Sequence, residues 1–156
     1  LQTGPLAGGT VCTDCRHSSR YRWPTVTVAK EALFQAVAHQ YADAAALGGM
    51  KSIEVIEEEK GRPVWIDLVG SSGRRLRIRA DDLRLCLLRE GLGGELYSMN
   101  CNIVDVGAAI AFSNGKGFGH GVGLCQWGAQ GMAQRGCTPQ DILAAYYPTA
   151  KLFKAY

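Results

Sequence analysis

Residues 52–79 read SIEVIEEEKGRPVWIDLVGSSGRRLRIR, three alternating stretches divided by two turns. Ser52 to Glu58 sets Ile53 and Val55 against Glu54 in an imperfect alternation, the pattern of a half-buried strand. Lys60-Gly61-Arg62-Pro63 turns the chain, Val64 to Val69 forms a second strand, and Gly70-Ser71-Ser72-Gly73 turns it again. Arg74 to Arg79 then puts Leu76 and Ile78 on one face and Arg75, Arg77 and Arg79 on the other. Strands joined by turns this short pair antiparallel. The expected class is therefore α+β: a mainly antiparallel sheet with one long helix and short C-terminal helices. An arginine row on a sheet can hold an anionic polymer. The reading favoured here is a solvated face paired with the Glu57-Glu58-Glu59 run on a neighbouring strand.

Outward from the meander, residues 28–47 carry the expected long helix. Leu33, Val37, Tyr41 and Ala44 form one apolar stripe, Thr27 is the candidate N-cap, and Gly48-Gly49 stop the helix. His39 falls on the opposite, polar face with Gln35 and Asp43 and reads as a surface histidine. Residues 81–89 form a short helix with Leu83, Leu87 and Leu88 inward. Two strands follow near 96–104 and 108–112, then a helix over 126–134. Thr138 caps a last helix with Pro139 at its first position and Asp141 closing a capping-box variant; Pro148 ends it. Residues 1–26 are loop-like. There Arg16, Arg20 and Arg22 interleave with Tyr21 and Trp23, read as a solvated loop whose aromatics cover the core.

The whole chain has 156 residues, 47% hydrophobic and 20% charged, which suits a single domain over 1–156 with a real core. A net charge of +3 is too mild to argue for nucleic acid. The longest apolar run, residues 106–112, is far too short to span a membrane. The chain opens at Leu1 without an initiator Met and reads as part of a longer protein. Six cysteines, Cys12, Cys15, Cys86, Cys101, Cys125 and Cys137, permit bridges, thiols or a metal, and spacing does not decide between them. Cys12-Thr-Asp-Cys15-Arg-His17 offers three candidate zinc ligands, one short of a tetrahedral site.

The glycines concentrate at 115–123, Gly-Lys-Gly-Phe-Gly-His-Gly-Val-Gly, with a strict period of two. In an extended chain that sets Gly115, Gly117, Gly119, Gly121 and Gly123 on one face and Lys116, Phe118, His120 and Val122 on the other. The pattern suits a strand in or beside a groove, where a backbone or a flat ligand approaches closely. It matches neither the dinucleotide fingerprint nor the P-loop. His120, boxed by glycines, is reachable by a ligand. Gln126 and Trp127 add a donor–acceptor amide and a flat indole, a set that suits a sugar.

The run from Gly117 to Ala133, with Gly136, Asp141-Ile-Leu and Tyr146-Tyr-Pro148, closely resembles the C-terminal signature of the SpoIID family. Weaker likeness extends to Cys-x-x-Cys with Tyr21-Arg-Trp23, to the helix at 28–47 and to the arginine strand. That family groups a peptidoglycan lytic transglycosylase of sporulation with the amidase enhancer LytB. The resemblance implies a glycan-binding, cleft-forming portion of a SpoIID-type lytic transglycosylase, outside the cytoplasm, with peptidoglycan strands as ligand. The alternatives are a non-catalytic LytB-like module that acts with an amidase or another wall hydrolase, and a zinc-stabilised interaction domain. By the same resemblance Gly117, Gly119, His120, Gly121, Gly123, Gln126 and Trp127 would line the substrate cleft. A structural zinc would fall to Cys12, Cys15 and His17, with no other cofactor required. The family's catalytic glutamate and a Ser-Gly-Gly stretch lie before the portion that aligns here, and no carboxylate of this chain sits in a motif that would replace that glutamate. No catalytic residue is assigned. Cys125 and Trp127 stand where the family more usually has Ser and Tyr.

Overall fold

The computed structural model describes residues 14–153. They divide into two compact units, Arg22–Gly119 and a second made of the segments up to Tyr21 and from His120 onward. The combination of helices with antiparallel sheets makes the fold α+β, as the meander implied.

The larger unit runs β1 (Arg22–Trp23), β2 (Val26–Ala29), α1 (Lys30–Ala38), β3 (Met50–Glu59), β4 (Arg62–Gly70), β5 (Arg75–Arg79), α2 (Ala80–Arg89), β6 (Asn102–Asp105), β7 (Ala109–Ser113) and β8 (Gly115–Lys116). The meander is real: β4 is the centre of a β3-β4-β5 sheet, with Ile66 opposite both Val55 and Ile78. A second sheet has the order β2-β7-β6, and β1 pairs with β8. All pairings are antiparallel. Leu33 and Val37 of α1, Ile66 and Leu68 of β4, Leu83 and Leu87 of α2, and Ile110 and Phe112 of β7 are essentially inaccessible to solvent. Each such side chain stabilises the fold by about 1.5–3 kcal/mol relative to leaving it in water.

Two expectations about the helices are corrected. Residues 26–29 do not start a helix: Val26, Thr27 and Val28 are β-branched and pair with Phe112, Ala111 and Ile110, so the helix begins at Lys30 behind Ala29. Nor is 28–47 continuous. α1 ends at Ala38, Tyr41 is extended (φ −125°, ψ 107°), and Ala42–Leu47 is a 3-10 turn closed by left-handed Gly48. The Tyr41 hydroxyl donates to Asp82 Oδ2 of α2 at 3.2 Å, which burial followed by the Asp82 charge makes hard to deprotonate, its pKa pushed up to about 12. The stripe survives the break because Leu33, Val37, Ala44 and Leu47 still reach the core. His39 is a surface residue beside Glu90, 3.1 Å away. In α2, Leu83 and Leu87 are inward, but Leu88 is 39% exposed.

In the smaller unit, Asp14–His17 is a 3-10 turn, followed much later by α3 (Gln126–Gln134) and α4 (Pro139–Tyr146). The α4 start is as read. The Thr138 hydroxyl accepts from Asp141 N–H at 3.2 Å while Asp141 Oδ2 accepts from Thr138 N–H at 2.9 Å, with Pro139 in the first turn. Gly128 is the one buried residue among the described residues of this unit.

In the larger unit, Gly115 lies flat under the Trp23 indole, where an added Cβ would run into the ring. Gly115→Ala is expected to cost about 1–3 kcal/mol by overpacking, seen as a fall of several degrees in the melting temperature. An unchanged melting temperature would show that the ring moves aside freely.

Candidate functional site

The glycine segment is not a strand beyond β8. Past Lys116 the chain bends, with Gly117, Gly119 and Gly121 at φ 70°, 92° and 77°. For the middle three of the five glycines the period of two is a period of two in left-handed backbone, which glycine adopts without a Cβ penalty. Open space surrounds a Cβ built on Gly117 or Gly119, so close approach of another part of the chain is not what requires glycine there. The start of this loop is tied down within the larger unit. Lys116 N–H donates to Asn100 O (2.9 Å), Ser98 Oγ donates to Lys116 O (2.7 Å), and Gly119 N–H donates to Tyr97 O (2.8 Å). Arg62 Nη1 donates to Gly119 O at 3.2 Å. Burial lowers the Arg62 pKa from its usual value. Phe118 is 66% exposed, its ring 5.9 Å from that of Tyr97.

The same tie shapes a cleft of about 310 Å³, lined by Arg22, Gly61, Asn100, Cys101, Asn102, Asn114 and Lys116. Two cations and three amides suit an anionic ligand rich in hydroxyl or amide groups. Sequence reading missed the cleft. Its asparagines carry no motif and are gathered by the β1–β8 pairing and the turn before β6. The one available signal was Lys116 inside the glycine run.

In the smaller unit, His120, Gln126 and Trp127 are all exposed, Trp127 by 48%. Val122 N–H donates to His120 Nδ1 at 3.0 Å. The neutral imidazole then carries its proton on Nε2 and offers it as a donor. His120 Cε1 lies 3.7 Å from where a Cβ on Gly123 would stand. Gln126 and Trp127 occupy the first turn of α3, whose N-cap is Cys125: its sulfur accepts from Gly128 N–H at 3.4 Å. Leu124 N–H donates to the Tyr147 hydroxyl at 3.2 Å, which joins the loop to the end of α4.

Of the zinc set, Cys15 and His17 sit in the 3-10 turn and Cys12 lies outside the described residues. Among the described residues no three metal-ligating side chains converge. The Cys125 sulfur lies 3.2 Å from that of Cys15.

The arginine row has acidic partners, but not the expected ones. β4 separates β3 from β5, so Glu57, Glu58 and Glu59 register with Trp65, Pro63 and Arg62 instead. Arg77 makes a two-pronged contact with Asp67, 2.7 and 3.0 Å, and Arg75 does the same with Glu54 while lying 3.8 Å from Asp67. Arg79 lies over the Trp65 ring, 5.9 Å from its centroid. The row is a neutralised sheet face, and half-exposed guanidiniums make each pair worth little on its own.

No family model matches the chain. Curated relatives do. An uncharacterised protein of Brachyspira hyodysenteriae is 43% identical over 79 residues, 49% of this chain and 21% of that protein. Stage II sporulation protein D of Bacillus amyloliquefaciens is 48% identical over 68 residues, 44% of this chain and 19% of the relative. The amidase enhancer of Bacillus subtilis is 34% identical over 65 residues, 42% of this chain and 9% of the relative. The matched segment spans about a fifth or less of each of these relatives. The chain is thus related to stage II sporulation protein D and to the amidase enhancer, a relationship of the SpoIID type.

Asp67 supplies a pH test of the sheet face. The Arg77 hydrogen bonds hold its carboxyl below the usual carboxylate range, against the opposing effect of burial. A carboxyl with a depressed folded pKa stabilises the protein above its unfolded value of about 3.9, and the gain fades as pH falls through the folded value. Asp67→Asn is expected to lower the melting temperature at pH 7, with the gap to wild type closing as pH drops below about 4. A gap independent of pH would assign the loss to packing.

Proposed function

We propose that this chain is the glycan-binding, cleft-forming portion of a SpoIID-type protein that works on peptidoglycan outside the cytoplasm. The observation that carries the proposal is the exposed Trp127 indole in the first turn of α3, beside Gln126 and a short loop from His120, in a chain related to stage II sporulation protein D. An indole half in water is a large apolar face left uncovered, and a pyranose ring covers such a face well. Gln126 supplies both donor and acceptor for ring hydroxyls or an acetamido group, and His120 supplies its Nε2–H. The glycines at 117, 119, 121 and 123 shape the loop that presents these groups. Taken by itself, the basic, amide-lined cleft of the larger unit suits a carboxylate such as that of a muramoyl sugar.

In this reading the wall-cleaving step, protonation of the glycosidic oxygen and attack by the muramoyl 6-hydroxyl, belongs to a carboxylic acid supplied by the parent protein, and this chain binds and orients the strand. The match to the amidase enhancer supports a second reading, in which the same surface binds wall and stimulates an amidase without cleaving glycan. Release of anhydromuramoyl ends by the parent protein separates the two.

The test is cosedimentation with purified peptidoglycan. Wild type is expected to pellet with the wall, and Trp127→Ala and His120→Ala each to weaken binding about tenfold, equivalent to about 1.4 kcal/mol. Folded variants that pellet as wild type does would remove the surface from the proposal. A folded wild type that stays in solution would remove the wall.

A further inference from the structure

The described residues of the smaller unit offer little apolar burial. Its described part is a 3-10 turn, a loop and two short helices, and α4 buries none of its residues. Among the described residues of this unit only Gly128 is buried, and glycine brings no side chain to a core. Units with so little apolar burial are ordinarily held by a cross-link or a metal. Where the 3-10 turn meets the start of α3, two sulfurs face each other. Cys15 Sγ and Cys125 Sγ are 3.2 Å apart, partly buried, and 110 residues apart in sequence. Closing that gap to a disulfide bond requires a shift of only about 1 Å.

We propose that Cys15 and Cys125 form a disulfide that staples the two chain segments of the smaller unit. The bond needs a small-molecule disulfide, such as oxidised glutathione, as oxidant. One cysteine thiolate attacks it and releases one glutathione thiol. The second thiolate then displaces the other glutathione from the mixed disulfide. Two protein thiols are oxidised and one glutathione disulfide is reduced to two thiols. Two of the other cysteines compete poorly. Cys86 and Cys101 are buried in the core of the larger unit, and burial pushes both thiols up in pKa, Cys101 to about 12, which leaves little of the attacking thiolate. Cys125 also has a second duty as N-cap of α3, which a serine hydroxyl can perform. Cys125→Ser therefore removes the staple while keeping the helix start.

The experiment equilibrates the full chain with oxidised or reduced glutathione, blocks remaining thiols, digests with trypsin without reductant and reads masses. In the oxidised sample the tryptic peptide ending at Arg16 is expected to be joined to residues 117–135, two hydrogens lighter than the sum of the two peptides. The join is expected to persist in Cys12→Ser and to vanish in Cys15→Ser and in Cys125→Ser. Oxidised wild type is expected to melt about 5 °C or more above the reduced form, and Cys125→Ser to show no such gain. Blocked thiols at both positions after oxidation would overturn the proposal, as would a join that survives Cys15→Ser and so uses Cys12. Stoichiometric zinc in the purified chain, lost in Cys125→Ser, would replace the disulfide with a metal site.

Discussion

Ile66 and Leu68 of β4 are sealed from water on one side of the strand, while on the other Asp67 is buried beneath two arginines. A strand flanked on both edges, by β3 and β5, and covered on both faces has no freedom of register. A slip by one residue would drive Asp67 into the core and expose Ile66 and Leu68. The large unit takes its alignment from that constraint. It sets β5 and hence the start of α2, whose Leu83 and Leu87 pack beside Leu33 and Val37 of α1. It also fixes Arg62 at the first position of β4, from which the guanidinium reaches Gly119 O and holds the start of the glycine loop.

The link from core to candidate site is thus short. Register places Arg62, Arg62 holds Gly119, and the β1–β8 pairing brings Arg22 and Lys116 to the rim of the same cleft as Asn100, Asn102 and Asn114. The smaller unit works differently. It holds its exposed His120, Gln126 and Trp127 with local devices: a hydrogen bond inside the loop, a sulfur cap, a capping box and the Tyr147 hydroxyl on Leu124 N–H. Local devices of this sort orient a few residues but supply little cohesion, which is why the Cys15–Cys125 approach carries weight there.

What could be read without coordinates was whatever is local in its physics. Thr138, Pro139 and Asp141 specify a helix start within four residues, and α4 begins there. A helix over Gln126 to Gln134 was also expected, and α3 spans those residues. The two turns at Gly61 and Gly73 dictated the meander, because only antiparallel strands can be joined so tightly. The residue pattern of the glycine run was equally plain, but its conformation was not. Alternate glycines fit either a flat strand or alternating left-handed backbone, and the choice fell to hydrogen bonds donated to Tyr97 O and Asn100 O and received from Ser98 and Arg62.

By itself, then, the sequence determined the α+β class, the meander, the caps of the last helix and the kinship with stage II sporulation protein D, since each rests on residues close together in the chain. Tertiary structure alone decided the rest. It broke the 28–47 helix at Tyr41, where a hydroxyl reaches Asp82 on α2. It gave the arginines Glu54 and Asp67 rather than the glutamate run, because β4 intervenes. It gathered three asparagines and two cations around one cleft, and it set Cys125 beside Cys15 across 110 residues. Contacts at that separation depend on how distant segments pair and pack, and no short window of sequence records that choice.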